Sequence, residues 1–341
     1  MISSSTTSQQ STMTPSILEP SMSRANGHSQ EFPQSAGVKL IPGFYVPTVA
    51  FFDPDTEAID LATTRKHAIR LSQEGVTGLV THGSNGEAVH LSHNERMQIN
   101  SATREAMNSV GRSDMPLIVG CGAQSTRETI QLCKEASESG GQFTLVLPPS
   151  YYGGLLTKEL IIQHFRDVAD ASPIPIIIYN FPSACSGLDL NSEAIITLSQ
   201  HKNIVGVKLT CGNTGKLARV AADASAPFLT LGGSADFTLQ TAVVGGHGII
   251  GGLANIAPKA CLKVLQLQNA GKAAEAVRMQ HVVARGDWVA IKGGFVAVKV
   301  GLQAYYGYGG LPRRPCALPE KKDLETMNSE LAELMQLENS L

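Results

Sequence analysis

Between residues 43 and 257, short apolar runs alternate with amphipathic stretches at intervals of a few tens of residues. The runs at 44–52, 78–82, 116–121, 143–147, 175–180, 204–209, 228–231 and 248–251 read as strands, rich in Val, Ile and Phe and bounded by turn residues. The stretches between them carry helix signals. Ser92-His-Asn-Glu95 and Ser125-Thr-Arg-Glu128 match a capping box, in which the Ser and Glu side chains satisfy exposed backbone amides. Gly75, Gly140 and Gly141 stand where helices should stop. Strands that are apolar throughout and joined by helices imply a parallel sheet with a covered outer face, and about eight such units predict a closed (β/α)8 TIM barrel. The runner-up, an open doubly wound sheet in its nucleotide-binding form, would want a G-x-G-x-x-G turn after the first strand, and Phe51-Phe-Asp-Pro-Asp55 is none. Beyond residue 258 the pattern is helical only, over 259–271, 272–305 and 319–341. The expected organisation is a Ser/Thr-rich leader over 1–36, the barrel over 37–257, and a C-terminal helical extension over 258–341 packed on the barrel.

Composition narrows the function. A hydrophobic content of 43 % over 341 residues supplies one large core, and a net charge of −2 with both signs interspersed gives no basic footprint for nucleic acid and no polybasic membrane stretch. The apolar runs are too short or too interrupted to span a bilayer. Expected partners are therefore a small molecule and further copies of the chain. The six cysteines show no C-x-x-C pair, which fits reduced intracellular thiols that are mostly inert. The leader is too polar to build a core and is expected to be disordered. Arg24 is its one arginine before residue 35, so it does not resemble an Arg-rich transit peptide, and a cytoplasmic location is expected ahead of a mitochondrial one.

Candidate chemistry begins at Lys208, which ends the apolar run Asn203-Ile-Val-Gly-Val-Lys-Leu-Thr210. A lysine desolvated by apolar walls can attack a carbonyl and form a Schiff base. Alternatively, such a side chain snorkels from a strand end into water. In a barrel the active site lies at the carboxyl ends of the strands. Those ends collect Thr48, the loop Gly83-Ser-Asn-Gly-Glu87, Tyr151, Tyr152, Tyr179, Lys208, the loop from Gly232 to Asp236, and Ile250. Tyr179 precedes Lys208 by one strand, so their heads can meet, and a phenol can shuttle the protons of carbinolamine and aldol chemistry. Taken alone such a tyrosine is more often a core residue with its hydroxyl tied to backbone, and it is the pairing with Lys208 that favours chemistry. The loop from Gly83 to Glu87, with Ser84 and Asn85 at its centre, can cradle a carboxylate on backbone amides; the alternative is a tight turn whose Asn85 and Gly86 serve only backbone angles. His82, His90 and His93 lie close in sequence but fit no zinc spacing, so no metal site is expected.

Gly83-Ser-Asn-Gly-Glu87, Tyr179-Asn-Phe-Pro182 with Gly187-Leu-Asp-Leu190, and Gly206-Val-Lys208 stand in the order of the three signatures of the dihydrodipicolinate synthase / N-acetylneuraminate lyase superfamily, which the chain resembles from about residue 42 to at least residue 300. The resemblance implies a (β/α)8 barrel, a homo-oligomer (dimer or tetramer) and a class I aldolase with neither metal nor cofactor. It makes Lys208 the Schiff-base nucleophile and Tyr179 the proton shuttle, and it puts Ser84 and Asn85 where the family holds the pyruvoyl carboxylate. Pro148-Pro-Ser-Tyr-Tyr152 resembles a segment whose tyrosine, here Tyr152, crosses a dimer interface to complete a neighbouring site, and Ile250 falls where the family places a backbone carbonyl beside the substrate. One departure bears on the substrate. Dihydrodipicolinate synthases carry an arginine after the tyrosine motif, whereas this chain reads Ser183-Ala-Cys-Ser186 with one residue more. The wording is more similar to the branch of 4-hydroxy-2-oxoglutarate aldolases and fungal 2-keto-3-deoxy-L-galactonate (L-threo-3-deoxy-hexulosonate) aldolases. The implied reaction is cleavage of a 2-oxo-3-deoxy sugar acid to pyruvate and L-glyceraldehyde. The alternatives are 4-hydroxy-2-oxoglutarate giving glyoxylate, a synthase-type condensation, and a non-catalytic sugar-acid sensor.

Overall fold

The apolar runs close into an eight-stranded parallel barrel in the computed structural model, which describes residues 34–341. The described chain enters through a small antiparallel hairpin, β1 (Gln34–Ser35) and β2 (Val38–Lys39). The barrel strands follow as β3 (Gly43–Pro47), β4 (Gly78–Thr81), β5 (Leu117–Gly120), β6 (Phe143–Val146), β7 (Ile176–Asn180), β8 (Ile204–Leu209), β9 (Leu229–Gly232) and β10 (Gly248–Ile250). They are hydrogen-bonded in sequence order, and β10 closes on β3. The alternating helices are α1 (Leu61–Gln73), α2 (His93–Ser109), α3 (Thr126–Glu138), α4 (Lys158–Ala171), α5 (Ser192–Ser199), α6 (Thr214–Asp223), α7 (Thr238–Val243) and α8 (Pro258–Asn269); α9 (Ala273–Tyr306) and α10 (Lys321–Ser340) follow.

Strand period sorts the core into two shells. In β7, Ile177 and Tyr179 point into the barrel with Tyr45, Val80, Ile118 and Leu231, while Ile176 and Ile178 join the larger layer between sheet and helices. Val38 and Leu40, carried in by the hairpin just before β3, also enter the inner cluster, so that end of the barrel is filled and the opposite mouth is left for chemistry. The capping signals hold unequally. Ser92 and Glu95 form the full reciprocal box at α2. At α3, Ser125 accepts from the Glu128 amide, but the Glu128 carboxylate pairs with His93 Nε2 at 2.7 Å, so that box is half made.

Helix α8 follows the last barrel strand and packs on β3 and α7 as well as on α9 and α10. The leader, up to residue 33, lies outside the described residues, and Gln34 and Ser35 already belong to β1. Among the described residues no helix is long and apolar enough to cross a membrane.

Candidate active site

A register irregularity aims the lysine. Along β7 and β8 the pairing steps from Ile176↔Ile204 to Ile177↔Gly206, so Val205 is an extra residue in β8. Val205 packs in the inner cluster and Val207 in the outer one, which returns Gly206 and Lys208 to the inner face, where Lys208 pairs with Tyr179. Bulges re-aim side chains in this way beside functional sites. Gly206 has its own reason: a Cβ there would lie 2.8 Å from the Leu229 carbonyl oxygen on β9.

Lys208 is 2 % exposed, and its Nζ lies 4.1 Å from the centre of the Tyr179 ring. That ring stacks on Phe181 at 5.7 Å, and its hydroxyl lies 3.4 Å from Ser84 Oγ. Ser84 therefore reaches the same point as Tyr179. The loop from Gly83 to Glu87 spends the amides of Gly86 and Glu87 on its own turn, bonded to the Gly83 and Ser84 carbonyls, and among the described residues the Ser84 and Asn85 amides have no protein partner. His82 and Glu87 flank the loop at φ 54° and 49°. Left-handed backbone in such residues costs about 1 kcal/mol or more each and persists where surroundings enforce it. His82 is fixed by a 2.9 Å bond between its Nε2 and the Arg96 carbonyl, and burial, with the Arg96 charge adding, pushes its pKa down to about 3. Glu87 is fixed by a fully buried ion pair to Lys299 of α9 at 2.7 Å and by the Arg313 amide at 3.0 Å. Glu87 is thus an anchor for the loop rather than part of its face. A further brace meets the loop at Gly252, where a Cβ would lie 2.6 Å from Asn85 Nδ2. Gly252 is held by Asn255, whose amide donates to the Gly252 and Pro47 carbonyls and whose oxygen accepts from His67 Nε2 at 2.9 Å.

Ser84, Asn85, Tyr179 and Lys208 line one cleft of about 700 Å³ at the open mouth. The other predicted residues fall outside its lining. Thr48 is buried, with its amide and hydroxyl bonded to the Val80 carbonyl, and Gly83 opens the loop without bordering the cleft. Gly232 is packed against Ile249, Thr241 and Phe237, and it is Gly233 that borders the cleft; Ile250 belongs to the inner core. Tyr152 is 65 % exposed, stacks edge-on with Tyr151 at 4.9 Å and borders a different cleft with Gln124 and His164, so within one chain it does not meet Lys208. The three histidines weighed for metal take separate partners: His82 bonds backbone, His90 bonds Glu87, and His93 bonds Glu128 and Glu135.

The Gly187-Leu-Asp-Leu190 motif is a brace as well. Asp189 accepts from Asn180 Nδ2 at 2.7 Å and pairs with the buried Lys216, and Asn180 Oδ1 accepts from the Leu190 amide at 2.9 Å, which fixes the strand end beside Tyr179. Among the lining residues that the sequence reading did not single out is Asp287, from α9. It is 2 % exposed, and its Oδ2 accepts from Ser234 Oγ at 2.6 Å and from the Asp236 amide at 2.9 Å. The available signal was a charge on the apolar stripe of α9, with Gln280, Val283 and Gly286 buried on the same side.

A closed barrel carrying a buried lysine beside a tyrosine at its mouth has the architecture of a Schiff-base aldolase. The chain belongs to the dihydrodipicolinate synthetase family, whose sequence profile matches residues 41–336. It is 57 % identical over 302 residues to a protein of Emericella nidulans named a probable mitochondrial 4-hydroxy-2-oxoglutarate aldolase, covering 89 % of this chain and 97 % of the relative. To the L-threo-3-deoxy-hexylosonate aldolase of Hypocrea jecorina it is 48 % identical over 307 residues, 88 % of this chain and 98 % of the relative. The crystal structure of a dihydrodipicolinate synthase family protein from Coccidioides immitis superposes with a TM-score of 0.81 at 34 % identity, covering 91 % of this chain and all of the other.

Proposed function

We propose that the chain is a class I aldolase that cleaves 2-keto-3-deoxy-L-galactonate (L-threo-3-deoxy-hexulosonate) to pyruvate and L-glyceraldehyde. The observation that carries the reading is Lys208, buried at the mouth of the barrel and paired strand to strand with Tyr179. Neutral Lys208 attacks the C2 carbonyl, forming a carbinolamine that loses water to an iminium, while the substrate carboxylate rests on the Ser84 and Asn85 amides. Tyr179, within reach of Ser84 Oγ, gives its proton to the departing water and then, as the phenolate, takes the C4 hydroxyl proton. The C3–C4 electron pair then moves into the iminium, the aldehyde leaves, and the enamine is protonated and hydrolysed to pyruvate and free Lys208. Ser183 borders the cleft where a synthase would carry its arginine, which supports cleavage over lysine-pathway condensation. A second reading, 4-hydroxy-2-oxoglutarate cleaved to pyruvate and glyoxylate, is favoured by the name of the Emericella relative.

Exposed Tyr151, Tyr152 and Leu155 support a homo-oligomer in which Tyr152 serves a neighbouring subunit. A cytoplasmic site rests on the arginine-poor residues 1–36, against the mitochondrial label of the Emericella relative; imaging of the tagged full chain decides between them. The test of the chemistry is borohydride reduction in the presence of pyruvate, followed by peptide mass spectrometry. A reduced adduct on Lys208, lost in a folded Lys208→Ala protein together with turnover, is the expected result. No adduct on the folded wild type, or substantial turnover without Lys208, overturns the assignment.

A further inference from the structure

The end of the cleft formed by the loop after β9 and by α9 is acidic, and its acids are held by an element outside the barrel. Asp236 and Asp287 both border the cleft, together with Ser234, Thr210 and Gln240, while Lys208, already committed to the iminium, is the one cation among the lining residues described. The Asp287 carboxylate fixes this end by accepting from the Ser234 hydroxyl and the Asp236 amide. That leaves the Asp236 side chain free of the α9 contact: its Oδ1 is buried and has no partner among the described residues, and the same holds for Thr210 Oγ1. A buried, unpartnered carboxylate oxygen requires a donor. Burial raises the pKa of Asp236, and it raises that of Asp287 to about 6, with the Asp236 charge adding to it, as expected for two carboxyl groups sharing a poorly solvated wall.

This wall treats the two candidate substrates oppositely. A leaving fragment with hydroxyls, such as a glyceraldehyde, supplies the donors that Asp236 Oδ1 and Thr210 Oγ1 lack. One that carries a second carboxylate, such as glyoxylate, brings a like charge and no donor, and no arginine or lysine of the lining is left to receive it. Resting on the aldolase reading above, we propose that Asp236, positioned by Asp287 of α9, receives the aldehyde-bearing end of the substrate and selects hydroxylated fragments against carboxylated ones.

The test is kcat/KM for 2-keto-3-deoxy-L-galactonate and for 4-hydroxy-2-oxoglutarate in wild type, Asp236→Asn and Asp287→Asn, with pyruvate trapping on Lys208 followed in each protein. Wild type is expected to prefer the sugar acid. In Asp236→Asn that preference should shrink about ten- to a hundredfold, the worth of a hydrogen bond to a charged group, through a higher KM for the sugar acid and better use of the dicarboxylate. Asp287→Asn should move the ratio the same way by less, as befits a positioning residue, and it provides a second reading if one variant fails to fold. A ratio unmoved in both variants, or a wild type that prefers the dicarboxylate, overturns the selectivity proposal; if Lys208 still traps pyruvate, the aldolase reading survives that failure. Absence of trapping in the wild type overturns both.

Discussion

Tyr179 shows how few atoms separate a core residue from a reacting one. Its ring is buried, stacked on Phe181 and lying beneath the Lys208 side-chain nitrogen, and its hydroxyl lies 3.4 Å from Ser84 Oγ in the cleft. Replacing Tyr179 by Phe keeps the ring and its packing, so the fold should be undisturbed while turnover falls about 10²- to 10⁴-fold, the range of one acid–base group. Steady-state rates set beside thermal melting check this, and near-normal turnover would remove Tyr179 as the shuttle. His67 and His82 are both held neutral, with pKa values near 3, chiefly by burial, with Arg70 and Arg96 adding to the effect.

At the scale of elements, the bulge in β8 and the helix α9 do most to assemble the site. Helix α9 reaches it twice. Asp287 holds the loop after β9, and Lys299 holds Glu87 at the end of the loop after β4, while also donating to the Leu311 carbonyl at 2.7 Å. Between these two points the helix breaks at Gly294, whose φ of 59° and ψ of −152° are not helical, and Gly294 itself borders the cleft. The Lys299–Glu87 pair is fully buried, so removing one partner strands a charge in the interior at a cost of about 3–5 kcal/mol. Lys299→Met should therefore lower stability to urea by that order and raise KM more than it lowers kcat, because the loop proposed to receive the carboxylate loses its anchor. The double variant Glu87→Gln with Lys299→Met should recover part of the lost stability. If Lys299→Met proves as stable as wild type, the anchor has no energetic weight.

For the whole molecule, the neutral histidines set an acid limit. An imidazole with a folded pKa near 3 and an unfolded value near 6.5 contributes stability that is fully present above pH 6.5 and lost as pH falls toward 3, at about 1.4 kcal/mol per pH unit for each group in that window. Asp287 acts in the opposite sense, since its raised pKa, about 6, favours the folded state as pH falls below 6. His164, held down at about 4 by burial, acts with the two histidines, while Asp236 and Glu338, raised by burial, act with Asp287. The urea midpoint should fall steadily from pH 6.5 to pH 4, and the slope should be shallower in His67→Gln; an unchanged slope would show that His67 does not titrate on unfolding. The same limit concerns the join of barrel and extension, because the His67 ring bonds both Asn255 of the barrel loop and Tyr308 beyond α9, the latter at 3.0 Å.

What the sequence determined was periodic or local. Eight apolar runs specify parallel strands because a sheet covered by helices buries both of its faces, and Ser92 with Glu95 specifies a helix start because both partners lie within one turn. The position of Lys208 at a strand end and the loop from Gly83 to Glu87 were legible for the same reason. What only the tertiary structure decided depends on residues far apart in the chain. Asp287 reaches Ser234 across 53 positions and Lys299 reaches Glu87 across 212, and no pattern within a strand or helix encodes which distant loop such a charge will meet. Thr48, Gly232 and Ile250 fall outside the cleft because a place at a strand end fixes height along the barrel, while inward or outward facing and the path of each following loop are set by packing against neighbours. Tyr152 is left 65 % exposed and borders a separate cleft, because the loop after β6 carries it away from Lys208.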